Sequence, residues 1–227
     1  MIITVANPKG GTGKTTLVRA LSGTAADAGN DVFLIDADRR ANTMRWVDVS
    51  KRMSLWPERL DAISSLEPSA IYTIARQQQA AGKIVFIDVE GTTNENLFAG
   101  LYAADIVVVP MQTTQDDVVS GLQLILNHLP VVEEEQKRKV PSLIVINQND
   151  FVTGRAKAHE PLREALRESG VRLARQQIAR RSSYQSMGSA GTLQTMERRD
   201  EKAITEMEAL LAEILSIHKA NLEGAVA

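Results

Sequence analysis

Apolar residues along this chain come in two spacings. Short runs that are apolar throughout, and not alternating, occupy Ile2–Ala6, Asp31–Ile35, Ile84–Ile87, Ile106–Val109, Leu143–Ile146 and Leu173–Ile178. Strands buried on both faces of a sheet read this way, because neither side meets water. Between them lie stretches with helical spacing: Leu17–Ala28, Ala70–Ala81 and His159–Ser169, stopping at Gly29, Gly82 and Gly170. A glycine after the last turn takes the left-handed conformation that closes a helix. Thr114, with Asp117 three residues on, predicts an N-cap for a helix over Asp116–Leu129. The least regular part is 48–68, with Trp46, Trp56, Pro57 and Pro68 nearby, where we expect short helices over one edge. Alternating strands and helices predict a doubly wound α/β domain, a mostly parallel sheet with helices on both faces and ligands at the carboxyl ends of the strands. With no internal repeat and no low-complexity linker, residues 1–227 read as a single domain.

From about Asp200 to Lys219 the positions Ile204, Met207, Leu210, Leu211, Ile214 and Leu215 follow a 3.6-residue period. The opposite face carries Glu201, Glu206, Glu208 and Glu213, which an anionic lipid surface would repel. The reading is a helix packed on the domain and no membrane attachment. Hydrophobic content of 44% and charged content of 24% are those of a globular protein. The formal net charge of −2 means that any nucleic-acid contact must come from a local patch. The absence of cysteine excludes disulfides, thiolate metal sites and cysteine nucleophiles. His128, His159 and His218 have no ligand spacing. No stretch approaches the length of a membrane span, and Met1 leads straight into the first strand with no cationic leader, so the expected location is cytoplasmic.

The densest chemistry follows the first strand: Lys9-Gly10-Gly11-Thr12-Gly13-Lys14-Thr15-Thr16. A strand, a glycine-dense turn and a helix make a phosphate-binding loop. The glycines let backbone N–H groups face phosphate oxygens, and the helix offers its positive end. In such a loop Lys14 reaches the β- and γ-phosphates and the Thr15 hydroxyl ligates Mg²⁺, so ATP and Mg²⁺ are the expected cofactors. Asp36-Ala37-Asp38 ends the second strand, where carboxylates can face a magnesium-phosphate group. Ile84-Val85-Phe86-Ile87-Asp88 is an apolar strand delivering a carboxylate, a candidate for holding Mg²⁺ through water.

Pro8 stands where the common phosphate-loop pattern has glycine, and Lys9 is an additional lysine. In this form, the deviant Walker A signature, the chain resembles the ParA/MinD family of partitioning and positioning ATPases. The resemblance runs from residue 2 to about 193. It implies that Lys9 reaches across an ATP-dependent homodimer to the partner's phosphates, that Asp38 orients the attacking water, and that Asp36 supports the Mg²⁺ and phosphate shell. The family's D-x-D-P-Q reads Asp36-Ala37-Asp38-Arg39-Arg40 here, and its D-T-P reads Asp88-Val89-Glu90. Val107–Thr114 is similar to the family segment packed beside the nucleotide. Ile144-Val145-Ile146-Asn147 is similar to its strand end, where Asn147 lies near the adenine. Asp36–Trp46 and Asp88–Asn96 resemble more faintly the VirC-type subgroup tied to conjugative transfer.

Late in the chain Arg180, Arg181, Arg198, Arg199 and Lys202 form a candidate patch for DNA phosphates, without any sequence-reading motif. The resulting expectation is an ATP-dependent dimerising switch ATPase, slow and partner-stimulated. It would be nucleoid-associated, bind DNA non-specifically as the ATP dimer, and position DNA or protein cargo with an adaptor of ParB-like or conjugation-related kind. The alternatives are a biosynthetic ATP-dependent synthetase of the same superfamily and a non-catalytic ATP-gated interaction protein.

Overall fold

Six strands build one sheet: β1 (Ile2–Val5), β2 (Val32–Ala37), β3 (Leu60–Ser64), β4 (Ile84–Val89), β5 (Ile106–Met111) and β6 (Ser142–Ile146). In the computed structural model, which describes residues 1–148, 166 and 170–224, they lie in the order β3-β2-β4-β1-β5-β6. All pairings are parallel. Alternate side chains enter two cores. Ile3, Val5, Leu34, Phe86, Val108 and Val145 face α1 (Lys14–Asp27), α2 (Asn42–Arg52) and the last helix, α8 (Glu201–Gly224). Ile2, Ile35, Val85, Ile87, Val107 and Val109 face α3 (Pro68–Ala80), α4 (Glu95–Ala103) and the α5–α6 segment (α5, Gln115–Gln123; α6, Leu129–Gln136). Continuous apolar strands follow from this double burial.

Gly29 and Gly82, with φ of +86° and +84°, follow the ends of α1 and α3 as expected; Gly170 has φ +72°, and the helix expected before it falls outside the described residues. Thr114 caps α5 by accepting the N–H of Asp117 at 3.3 Å. Beyond Gln123 the helix does not stop at Leu129. It widens into a π-turn over Leu124–His128, where Leu129 N–H donates to the Leu124 carbonyl, and continues as α6. Pro130, which has no N–H to give, sits in the first turn of α6 and explains the break in the ladder. A short helix, α7, follows at Ser182–Met187.

Three expectations need correction. Residues 48–68 hold the end of α2 and then β3, an edge strand, where short helices were expected. β3 exposes Asp61, Ile63 to a lesser degree, and Ser64, so it lacks the continuous apolar run of a central strand. Leu173–Ile178 is not a strand. It makes a single bridge, Leu173 to Ile144, plus amide bonds from Ala174 and Ile178 to β6, while the Arg175 N–H turns to the Glu213 carboxylate. Glu206, assigned to the polar face of α8, is buried. The helix expected over His159–Ser169 lies outside the described residues except Leu166, which is buried in the second core.

α8 packs as expected: Ala203, Ile204, Met207, Leu210, Leu211 and Ile214 are buried in the core that includes Leu17, Val18 and Leu21 of α1. Asp200 Oδ1 accepts the N–H groups of Lys202 and Ala203, both at 3.2 Å, and so starts the helix. Among the described residues no helix is long and apolar enough to cross a membrane.

Candidate functional site

β4 lies between β1 and β2, so the carboxyl ends of these three strands meet. The register aligns Val5 with Asp88 and Asp88 with Asp36. From the end of β1 the chain runs through Asn7 to Gly13 and enters α1 at Lys14 with no side-chain cap. The first N–H groups of α1 are therefore available to an anion. Three side-chain amides hold this loop in shape. Asn7 Nδ2 donates to the Pro110 carbonyl (2.9 Å), while its Oδ1 accepts Lys9 N–H and the Ser120 hydroxyl. Gln112 Nε2 donates to the Gly11 carbonyl (3.0 Å), and Asn147 Nδ2 to that of Thr12 (2.8 Å). Gly13 has φ +95°, and a Cβ there would lie 1.9 Å from Asn147 Nδ2, so only glycine fits.

Beside the loop is a cavity of about 270 Å³. Gly10, Gly11, Gly13, Lys14, Thr15 and Thr16 form one side; Asp38, Arg40, Asn42, Glu90, Gly91 and Thr92 close the other. Lys14 is buried and its Nζ donates to the Lys9 carbonyl at 2.9 Å. Burial is the main influence holding its pKa below the ordinary lysine range, against the attraction of Asp88 and Asp38. Gly91 presses on this group: a Cβ there would stand 2.8 Å from Lys14 Nζ and 3.0 Å from Gly10 Cα. The loop after β4 thus touches the phosphate loop directly.

Lys9 behaves differently from Lys14. It does not line the cavity; its Nζ pairs with Asp117 Oδ1 at 2.9 Å and stands 3.9 Å from Asp116 Oδ2, both near the start of α5. Thr12 is buried, and its hydroxyl is 3.5 Å from the Lys9 carbonyl.

The three acids divide their work. Asp38 lines the cavity, and its Oδ1 accepts the Arg40 N–H at 2.8 Å. Asp36, fully buried, accepts Asp38 N–H on Oδ1 (3.1 Å) and Met44 N–H on Oδ2 (2.9 Å). It shapes the turn that presents Asp38. Burial raises its pKa and these two bonds oppose the rise. Asp88 is fully buried; burial pushes its carboxyl up to about 6, partly opposed by the Thr43 hydroxyl, which donates to Oδ2 at 2.7 Å. Asp88 Oδ1 is buried without a hydrogen-bond partner. An orphaned carboxylate oxygen close to the Thr15 hydroxyl is an arrangement that fits a divalent cation. No cluster among the described residues holds three acidic or imidazole ligands, so most ligands of such an ion would be phosphate oxygens and water.

Gln112 falls in the segment expected beside the nucleotide, but several other contributors were not anticipated: Asn7, Thr43, Asp117, Arg40, Glu90 and Arg19. Arg19 donates to the Asn42 carbonyl (2.5 Å), lies 5.5 Å from the Trp46 ring centroid, and is mostly buried, with its charge toward Asp88 and Asp36. A lone charge in the apolar run Leu17–Leu21, one turn after Thr15, was the available signal.

Asn147, expected near adenine, spends an amide proton on the phosphate loop, and its Oδ1 accepts the Gln148 N–H. It also lines a small cavity of about 110 Å³ with Thr16, Arg180, Tyr184 and Gln185, next to the loop. The five basic residues do not form one patch. Arg181 makes a bidentate pair with Glu206 (Nη2 to Oε1, 2.5 Å), which also accepts the Tyr184 hydroxyl at 2.9 Å. Arg180 is exposed beside the loop. Arg198, Arg199 and Lys202 line a separate surface cavity with Glu197, Asp200 and Glu201. Arg199 is 3.4 Å from Glu201.

A parallel sheet, a glycine loop entering a helix, and carboxylates at the neighbouring strand ends define a phosphate-loop nucleotide-binding protein. The family model for the CobQ/CobB/MinD/ParA nucleotide binding domain matches residues 3–216, and the chain belongs to this family. It is 25% identical over 224 residues to Protein ParA of Rhizobium radiobacter, covering 96% of each chain. It is also 25% identical over 122 residues to Protein virC1 of Rhizobium radiobacter, 53% of each. In fold it is similar to a plasmid partition protein of Borrelia burgdorferi B31 bound to AMPPNP (TM-score 0.69, 18% identity, 95% of this chain and 98% of that one).

Proposed function

We propose that this chain is an ATP-driven dimerising switch that partitions or positions DNA or a protein cargo. One observation carries the reading: the phosphate loop has two lysines, and only Lys14 faces the cavity, whereas Lys9 is held outside it on Asp117. A cation rooted in the loop but turned from its own phosphate cavity is placed to serve a second nucleotide. Two chains facing each other across their loops would then exchange lysines, each compensating charge on the other's phosphates. Mg·ATP binds through Gly10–Thr16, with Mg²⁺ neutralising phosphate charge near Thr15 and Asp88. Asp38, in the cavity wall, orients water for hydrolysis; Asp36 supports it through the turn they share. Action on cargo draws support from the similarity to a plasmid partition protein; we place this action in the cytoplasm on the nucleoid, with a ParB-like or conjugation-related adaptor as the partner class. DNA contact falls to Arg180, Arg198, Arg199 and Lys202, since Arg181 is engaged by Glu206.

The test combines turnover with DNA retention. ATP hydrolysis that Lys14→Ala abolishes, together with duplex retention that needs ATP, ignores sequence and falls steeply with salt, is the expected result. Retention that is sequence-selective or independent of nucleotide overturns the reading.

A further inference from the structure

Every charged group around the phosphate cavity has a polar contact except one. Lys14 donates to the Lys9 carbonyl, Asp38 accepts the Arg40 N–H, and Glu90 Oε2 accepts Asn94 Nδ2 at 3.0 Å. The Arg40 guanidinium, which lines the same cavity, has no hydrogen bond or ion pair among the described residues. Its backbone is held in place at both ends. Its N–H is bound by Asp38, and the turn closes with Ala41 N–H on the Asp38 carbonyl at 2.9 Å. Ala41 itself sits at φ 49°, ψ 35°, a left-handed conformation that is unfavourable for a residue with a Cβ. A strained turn thus holds the backbone of an exposed, unpaired cation at the wall of a phosphate cavity. Glu90 stands in the wall formed by the loop after β4, with Gly91 against Lys14.

We propose that Arg40 binds the terminal phosphate of the chain's own triphosphate, as a phosphate cation separate from Lys14 and Lys9. The proposal rests on the nucleotide-binding reading above. Thr15 and Thr16 with the loop backbone sit at the α1 end of the cavity, where the inner phosphates belong. Asp38, Arg40, Glu90 and Gly91 come from the segments following β2 and β4 and form the facing wall, where a third phosphate would lie. A triphosphate brings added negative charge towards Glu90, and a planar guanidinium can offset it with two parallel hydrogen bonds to phosphate oxygens. With a diphosphate, Arg40 has no phosphate to hold. Arg40 therefore separates triphosphate from diphosphate within one chain, before any second chain arrives.

The test is equilibrium binding of AMPPNP and of ADP, each competed against a fluorescent nucleotide, at protein concentrations too dilute for dimerisation. Arg40→Gln should weaken AMPPNP about tenfold or more and ADP less than about twofold, because one charge-assisted contact is lost from the third phosphate only. Arg40→Lys should recover part of the loss, and Glu90→Gln should tighten AMPPNP selectively. Thermal melting of each variant checks the fold. Equal losses for both nucleotides, or no loss for either, overturn the proposal. A loss that grows with protein concentration overturns it too, by placing Arg40 on the partner's nucleotide. If Lys14→Ala loses both nucleotides while Arg40→Gln loses neither, the nucleotide site stands and this role of Arg40 falls.

Discussion

Lys14 and Asp38 line the same cavity but act at different moments. Lys14 would make charge-assisted bonds to bound phosphate, so Lys14→Ala should weaken nucleotide binding by about 2–3 kcal/mol, roughly a hundredfold. Asp38 matters when water attacks, so Asp38→Ala should keep nucleotide within a few-fold while turnover drops about a hundredfold or more. A titration with fluorescent nucleotide and a phosphate-release assay separate the two; parental turnover in Asp38→Ala contradicts the assignment. Asp88 supplies a pH signature. In the folded chain burial pushes its carboxyl up to about 6 from the ordinary 3.8, because a buried charge is disfavoured. The folded state thus binds more protons than the unfolded one between these values, so its contribution to stability is full below about 4 and is lost as pH rises through about 6. Urea denaturation of the nucleotide-free chain between pH 4 and pH 8 should show this loss, and Asp88→Asn should remove it. A parent and variant with parallel pH profiles would contradict it.

At the scale of elements, the last helix is tied to the site side of the molecule by Arg181, Glu206 and Tyr184. Arg181→Ala leaves Glu206, a largely buried carboxylate, without its cation, and should cost about 1–3 kcal/mol in denaturant unfolding. Glu for Arg181 should cost more, since it sets two acids together. Reversing Arg198, Arg199 and Lys202 to Glu should leave stability nearly unchanged, because these side chains are exposed, while removing DNA retention. Unfolding midpoints measured beside retention tell the two groups apart. The sequence pattern made β1, β2, β4, β5 and β6 legible because both faces of these strands are buried, β6 included although it ends the sheet order. β3 was hidden because an edge strand is half solvated and reads as polar. The phosphate loop was legible because glycine, lysine and threonine at fixed spacing have a chemical reason. The amide contacts from Asn7, Gln112 and Asn147 were not, since they join residues more than a hundred positions apart or follow from tertiary packing. The pairing of Arg181 with Glu206 was likewise invisible, as charge in a sequence does not say which partner will face it.

For the whole molecule, the account is of an incomplete half. One chain supplies a phosphate cavity, carboxylates and Lys14, yet holds Lys9 on Asp117, outside the cavity it belongs to. ATP should therefore bring two chains together and ADP should not, and Lys9 should be needed for the pairing but not for filling each cavity. Sedimentation velocity of Asp38→Ala at about 10–50 µM, a range that detects complexes of about −6 to −7 kcal/mol, measures this directly. The account predicts a dimer with Mg·ATP, a monomer with Mg·ADP, and a monomer in both when Lys9→Ala is added to a protein that still binds nucleotide. A monomer under all conditions, or a dimer that persists without Lys9, would contradict it.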